Sequence, residues 1–139
     1  MTRRLFSRRR SRGQSLVELA LVLPMIVILL AAVFDIGRVL DASIVLANSV
    51  RVGARFGASH PSWFDSVRSR VVEFSNNSGW NFTGVLLQGS DVDVASGGAA
   101  GSTIRVTASF NLPLFFGPAI GIRTINIVRS AEMMILVDP

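Results

Sequence analysis

The chain has 139 residues, a net charge of +5 and 50% hydrophobic residues, enough for one modest domain and a membrane-length apolar segment. It holds no cysteine, no lysine and one histidine, which excludes disulfides, thiol nucleophiles, Cys-ligated zinc, P-loop, Schiff-base and Ser–Lys chemistries. That histidine, His60, sits beside Pro61 without a carboxylate cluster; it reads as a loop residue, and we expect no catalytic, cofactor-binding or metal-ligating residues and no enzymatic activity.

The basic charge is local. Six arginines (Arg3, Arg4, Arg8, Arg9, Arg10, Arg12) and no acid precede Gly13, whereas the remainder carries eight arginines and nine acids. A nearly neutral body offers no broad basic face for phosphates, so nucleic acid is not an expected partner. Arginines beside a membrane span stay cytoplasmic, which puts the N-terminus inside and the residues beyond about 40 outside.

The apolar segment runs from Leu16 to Phe34, and from Leu19 onward it contains no charge. That length is close to the ~20 residues a helix needs to cross ~30 Å of hydrocarbon. Glu18 lies near its start. A carboxylate costs roughly 2.5–3.5 kcal/mol at a bilayer centre and less near an interface, so Glu18 is a functional candidate. Pro24 should bend the helix or free one backbone carbonyl.

Beyond the span, Ile36, Val39, Leu40, Ser43, Leu46, Ala47, Val50 and Ala54 recur at three- and four-residue spacing, which predicts that the helix continues. Asp35–Arg38 and Arg38–Asp41 are i,i+3 pairs that support an exposed helix. A helix from Ser15 to about Ala58 would be roughly 65 Å long, half of it spanning and half a projecting stalk. Gly53 and Gly57, with Ala54 and Ala58, form small-residue ridges. They allow close helix packing, or they mark a helix losing propensity before His60-Pro61, the reading we favour. Arg51 and Arg55 repel at i,i+4 and read as solvated.

A second helix is expected over 62–76, capped by Ser62 or Ser59, with Trp63, Val67, Val71 and Phe74 on one face. Residues 76–79 stop it. Asn76 and Asn81 open N-x-S/T tripeptides, which chance produces easily. The rest reads as sheet: a short strand over 91–95, a Gly-rich hairpin loop over 97–102, and a clean alternation over 103–110. In that strand Ile104, Val106, Ala108 and Phe110 face one side, opposite Thr103, Arg105, Thr107 and Ser109. Residues 112–118, with Pro113 and Pro118, read as a packed loop. A last strand over 124–137, with room for a bulge, should pair antiparallel with 103–110. Arg129 and Glu132 leave too short an apolar run there for a second span.

Arg12-Gly13 followed by Gln14-Ser15-Leu16-Val17-Glu18 and an apolar helix resembles a prepilin signal of the type IV pilin class. More narrowly, residues 12–24 with Phe34-Asp35-Ile36-Gly37-Arg38, Asn48-Ser49-Val50-Arg51-Val52-Gly53-Ala54-Arg55 and a β-rich tail resemble a TadE-like minor pilin or pseudopilin of the tight-adherence (Flp) pilus system. The resemblance covers 12–58 well and the tail loosely. Two positions depart from it: glutamine follows Gly13 where many pilins have phenylalanine, and leucine follows Glu18 where the Flp pattern has tyrosine.

The resemblance implies an α+β, pilin-like fold: a long transmembrane and stalk helix, a second helix and a small antiparallel sheet. It divides the chain into a basic leader (1–13), the helix (14–58) and an extracytoplasmic head (59–139). It further implies a processing site at Gly13 and Gln14 for a membrane prepilin peptidase, with Glu18 at the fifth position after the cut. Other implied partners are the inner-membrane pilus assembly platform and sister pilins, and Pro24, Gly53 and Gly57 are helix-packing candidates. The expected location is the cytoplasmic (inner) membrane, single-pass, with the head outside. If cleavage frees the Gln14 amine, Glu18 of one subunit could pair with that amine in its neighbour and set axial register.

Two other readings compete. Thr2-Arg3-Arg4-Leu5-Phe6 partly resembles a twin-arginine export signal, yet the apolar segment is long, the arginine pair lies well upstream, and no Ala-x-Ala site follows closely. A signal-anchored envelope protein with a small binding domain is the other. The mature N-terminus separates all three: beyond about residue 32 for export, Gln14 for pilin processing, near Met1 for a simple anchor.

Overall fold

A computed structural model describes residues 12–78 and 86–136. Most of residues 1–13, the twin-arginine-like 2–6 included, with Asn81 and Val137, lie outside the described residues. Helix α1 (Arg12–Ser59) is 48 residues long, ~72 Å at ~1.5 Å per residue. It runs unbroken through Pro24, which has no N–H for the Ala20 carbonyl. Helix α2 (Phe64–Asn77) follows after a tight turn at His60. Strands β1 (Val92–Ser96), β2 (Thr103–Pro113) and β3 (Thr124–Met134) form an antiparallel sheet in that order. The architecture is therefore α+β, a long apolar helix with a second helix and a small antiparallel sheet, with both helices on one sheet face.

The β2–β3 register is continuous from Thr103↔Met134 to Pro113↔Thr124, so β3 carries no bulge. The 97–102 hairpin loop closes through a Gly97 N–H bond to the Thr103 carbonyl, and Gly98 and Gly101 take left-handed backbone there. Leu112 and Pro113 belong to β2 rather than to a loop. Proline is tolerated at that end because β1 pairs only as far as Ala108, so no neighbour on that side asks for an N–H.

The core joins Ala42, Leu46, Val50 and Ala54 of α1 to Val67 and Val71 of α2, Val106, Ala108, Phe110 and Leu112 of β2, and Ile127 of β3. Ile104, Val106, Ala108 and Phe110 all point inward, as the alternation predicts. The outer sheet face is polar, with an Arg105–Glu132 ion pair and a 2.8 Å Asn126–Asn111 bond. Two expected faces are corrected. In α2 the buried positions are Val67, Val71 and Ser75. Trp63 and Phe74 are exposed, because the stripe follows the contact with α1, and Trp63 instead lies against the His60 ring. The helix starts at Phe64 with Trp63 as cap residue and no side-chain cap bond, from Ser62 or Ser59 or any other residue. In α1, Ile36 and Leu40 are exposed rather than on the packed face.

Asn76 ends up structural. Its side chain donates to the Leu87 carbonyl and accepts from the Leu87 N–H, at 3.2 and 3.1 Å. That two-way clip ties the returning chain to α2.

Candidate functional site

The functional geometry is distributed along α1. At its start, Gly13, Gln14 and Glu18 are exposed and helical, and the Gln14 side-chain amide donates to Glu18 Oε1 at 3.4 Å. Between residues 13 and 34 only Ala31 is buried. The apolar surface is thus open all round, as a helix facing lipid or sister helices requires. By length and composition this helix is a candidate membrane span, the one such helix among the described residues. The exposed stripe continues past the span through Ile36, Leu40 and Ile44, spaced by four so that they share one face.

The opposite face of the stalk is built into the head. Gly53 and Gly57 are buried where α1 crosses α2 and β2. A Cβ added to Gly53 would collide with Val71 Cγ2, and one added to Gly57 would collide with Ile104 Cδ1. The helix continues through both glycines to Ser59. Arg51 and Arg55 point to solvent.

At the junction of span and stalk lies a cluster that the spacing rules do not anticipate. Asp35 is 7% exposed. Its carboxylate accepts the backbone N–H groups of Phe115 and Phe116 at 3.1 and 3.0 Å, and Arg38 Nη1 at 3.3 Å. Arg38 also donates to the Pro113 carbonyl at 3.1 Å and lies under the Phe115 ring, 4.2 Å from its centre. The Phe34 ring meets Phe115 at 6.1 Å. The Asp35–Arg38 pair is therefore a buried clamp on the β2–β3 connection, not an exposed helix pair. Arg38 Nε and Nη2 are buried without a hydrogen-bond partner, and the face of Phe115 is what the guanidinium meets.

Burial by itself would raise the Asp35 carboxyl. The N–H groups of Phe116 and Phe115, with Arg38, outweigh it and hold the group below the ordinary aspartate range. The available sequence signal is positional: Asp35 directly follows the apolar run, and residues 112–122 form an uncharged, proline-broken segment. Which segment meets Asp35 depends on a contact eighty residues away in sequence, beyond the reach of local pattern.

Higher on the stalk, Arg129 of β3 donates to the Ser43 hydroxyl. Arg129 faces α1 because it lies opposite Ala108 in the register.

No curated protein and no solved structure matches the chain. Residues 13–55, which hold the apolar run and most of the helix beyond it, match the family model described as TadE-like protein, so this stretch is similar to that family, in agreement with the resemblance drawn from residues 12–24 and 34–38.

Proposed function

We propose that the chain is a membrane-anchored minor pilin or pseudopilin acting in assembly of a tight-adherence (Flp) pilus for surface attachment, without enzymatic activity. One observation carries the reading: within the TadE-like stretch, a single helix joins an uncovered apolar span to a stalk that forms one wall of a small α+β head. A pilin-type subunit needs that combination, because the same helix must sit in lipid before assembly and against sister helices afterwards. The exposed Ile36, Leu40 and Ile44 stripe extends the apolar surface to where a second helix would lie.

In this reading a prepilin peptidase cuts between Gly13 and Gln14 on the cytoplasmic side, and the assembly platform of the inner membrane then receives the subunit. The new Gln14 amine of one subunit pairs with Glu18 of its neighbour. Pairing offsets the desolvation of both charges and selects one axial register.

Mass spectrometry of the membrane-extracted protein tests processing first. The N-terminus should be Gln14 in cells with the peptidase and near Met1 in cells lacking it. A start near Met1 in both strains would demote the chain to a signal-anchored protein, and a start beyond about residue 32 would favour export. Glu18→Leu should leave membrane insertion intact and reduce incorporation into the assembly about tenfold, the effect of losing ~1.4 kcal/mol of pairing. Undiminished incorporation would refute the pairing role.

A further inference from the structure

We propose that the β2–β3 connection, residues 114–122, is a second membrane contact: an apolar foot that inserts beside the span into the outer leaflet of a phospholipid bilayer. The inference rests on the reading of α1 as a membrane span. Its first support is depth. Asp35 and Phe34, at the outer end of the apolar run, hold Phe115 and Phe116 through the carboxylate bonds and the ring contact already described. Ala31, one turn earlier on the Asp35 face, is the one buried position of the span. Four residues of helix amount to ~6 Å, and apolar faces of interfacial elements insert ~5–10 Å.

Composition is the second support. From Leu112 to Ile122 there is no charge, and Arg123 follows at the exit, where a long cationic side chain can keep its head in water. Phe115, Phe116, Ile120 and Ile122 are 58%, 48%, 72% and 48% exposed. They lie at the end of the sheet that points toward the membrane, because β2 runs from the Ala58 end of the stalk down to Arg38.

The third support is the backbone. A loop placed in lipid must satisfy its polar groups internally. Here the N–H of Leu114 donates to Arg123, those of Phe115 and Phe116 to Asp35, that of Ala119 to Phe116, that of Gly121 to Pro118, and that of Ile122 to Gly117. Pro118 has no N–H to satisfy. Gly117 permits the tight fold, since a Cβ there would strike the Ile122 carbonyl and the Leu114 side chain. These bonds engage six of the eight N–H groups from Leu114 to Ile122, which lowers the cost of seating the loop at the membrane interface. The foot would fix the head's tilt and rotation on the membrane, so that the stalk stripe at Ile36, Leu40 and Ile44 is presented laterally.

The chain has no cysteine, so single-cysteine nitroxide labels test this in the full-length protein reconstituted into phosphatidylcholine/phosphatidylglycerol vesicles. Leu23→Cys reports the span, Phe116→Cys and Ile120→Cys the foot, and Ser130→Cys the exposed outer sheet face. Collision with oxygen, which partitions into lipid, is compared with collision with a water-soluble nickel chelate. Oxygen should dominate deeply at Leu23 and at shallower depth at Phe116 and Ile120, and the ratio should reverse at Ser130. Ile120 carries the test if a label at Phe116 disturbs the loop. Nickel-accessible labels at both foot positions, with Leu23 still in lipid, would overturn the foot and leave the span standing. Foot labels shielded from both reagents would mean a protein cover, such as a second copy, and would also overturn it. A water-accessible Leu23 would remove the span and the foot together.

Discussion

Asp35→Ala is expected to destabilise the full-length protein by about 3–5 kcal/mol, the range for deleting one partner of a buried ion pair. The substitution removes the acceptor of two backbone N–H groups and leaves the buried Arg38 guanidinium without its counter-charge. Urea unfolding in mild detergent micelles reads the loss. Hydrogen exchange locates it, because the amides of Phe115 and Phe116 should lose their protection first. An unchanged midpoint with unchanged exchange at those amides would show that the clamp contributes nothing.

The same residue sets a pH dependence whose sign is fixed by the direction of its shift. The folded carboxyl titrates below an ordinary aspartate, ~3.9, since the backbone bonds and Arg38 overcome burial. Its contribution is complete above the unfolded value, fades as pH falls past that value, and is gone below the depressed folded value. The stability difference between wild type and Asp35→Asn should therefore be constant from neutral pH down to about 5 and shrink below ~4. A difference that grew on acidification would contradict the depressed value.

Gly53→Leu is expected to cost about 3 kcal/mol, at the upper end of the overpacking range. At Gly53 an added Cβ meets Val71 Cγ2, and a β-branched side chain on a helix has one strongly preferred rotamer. At Gly57 the nearest atom is Ile104 Cδ1, the far end of a longer side chain that can turn away, and Val67 Cγ2 follows at 3.2 Å, a milder contact that takes back part of any gain. Alanine at the two sites should therefore part ways. Gly57→Ala gains up to ~1 kcal/mol of helix propensity and ends near neutral, whereas Gly53→Ala should lose about 1–2 kcal/mol. Val71→Ala opens the space that a Cβ at 53 would fill. The double variant should therefore be more stable than the two single losses sum to, a coupling that unfolding midpoints of the four proteins measure. Additivity would show that Gly53 is not held by that contact.

The helix, the sheet and their order were legible because each has a short-range cause. Residues 103–110 alternate with period 2 and face as read, and 16–34 is apolar with no charge after Glu18. Strand ends shifted by the residues that only pairing decides, Leu112 and Pro113. The helical stripe is less legible. Ile36 and Leu40 are as apolar as Leu46, and periodicity places them without saying which side of the stalk the head covers. Trp63 and Phe74 escape the pattern for the same reason: hydrophobicity marks candidates for a face, and the neighbour chooses among them.

What the sequence determined alone is the distribution of charge and apolar length. Six arginines before Gly13, one lone carboxylate at Glu18 and an uncharged run to Phe34 specify a helix of membrane length, because spanning is a local requirement on some twenty consecutive residues. The tertiary structure decided what happens where the apolar run ends. Asp35 and Arg38 look like an ordinary exposed pair until the β2–β3 connection arrives from eighty residues away and places its amides on the carboxylate. Gly53 and Gly57 look like weak helix until Val71 and Ile104 fill the space a side chain would take. Burial and partnership belong to pairs of segments, so they exist only once the chain has folded.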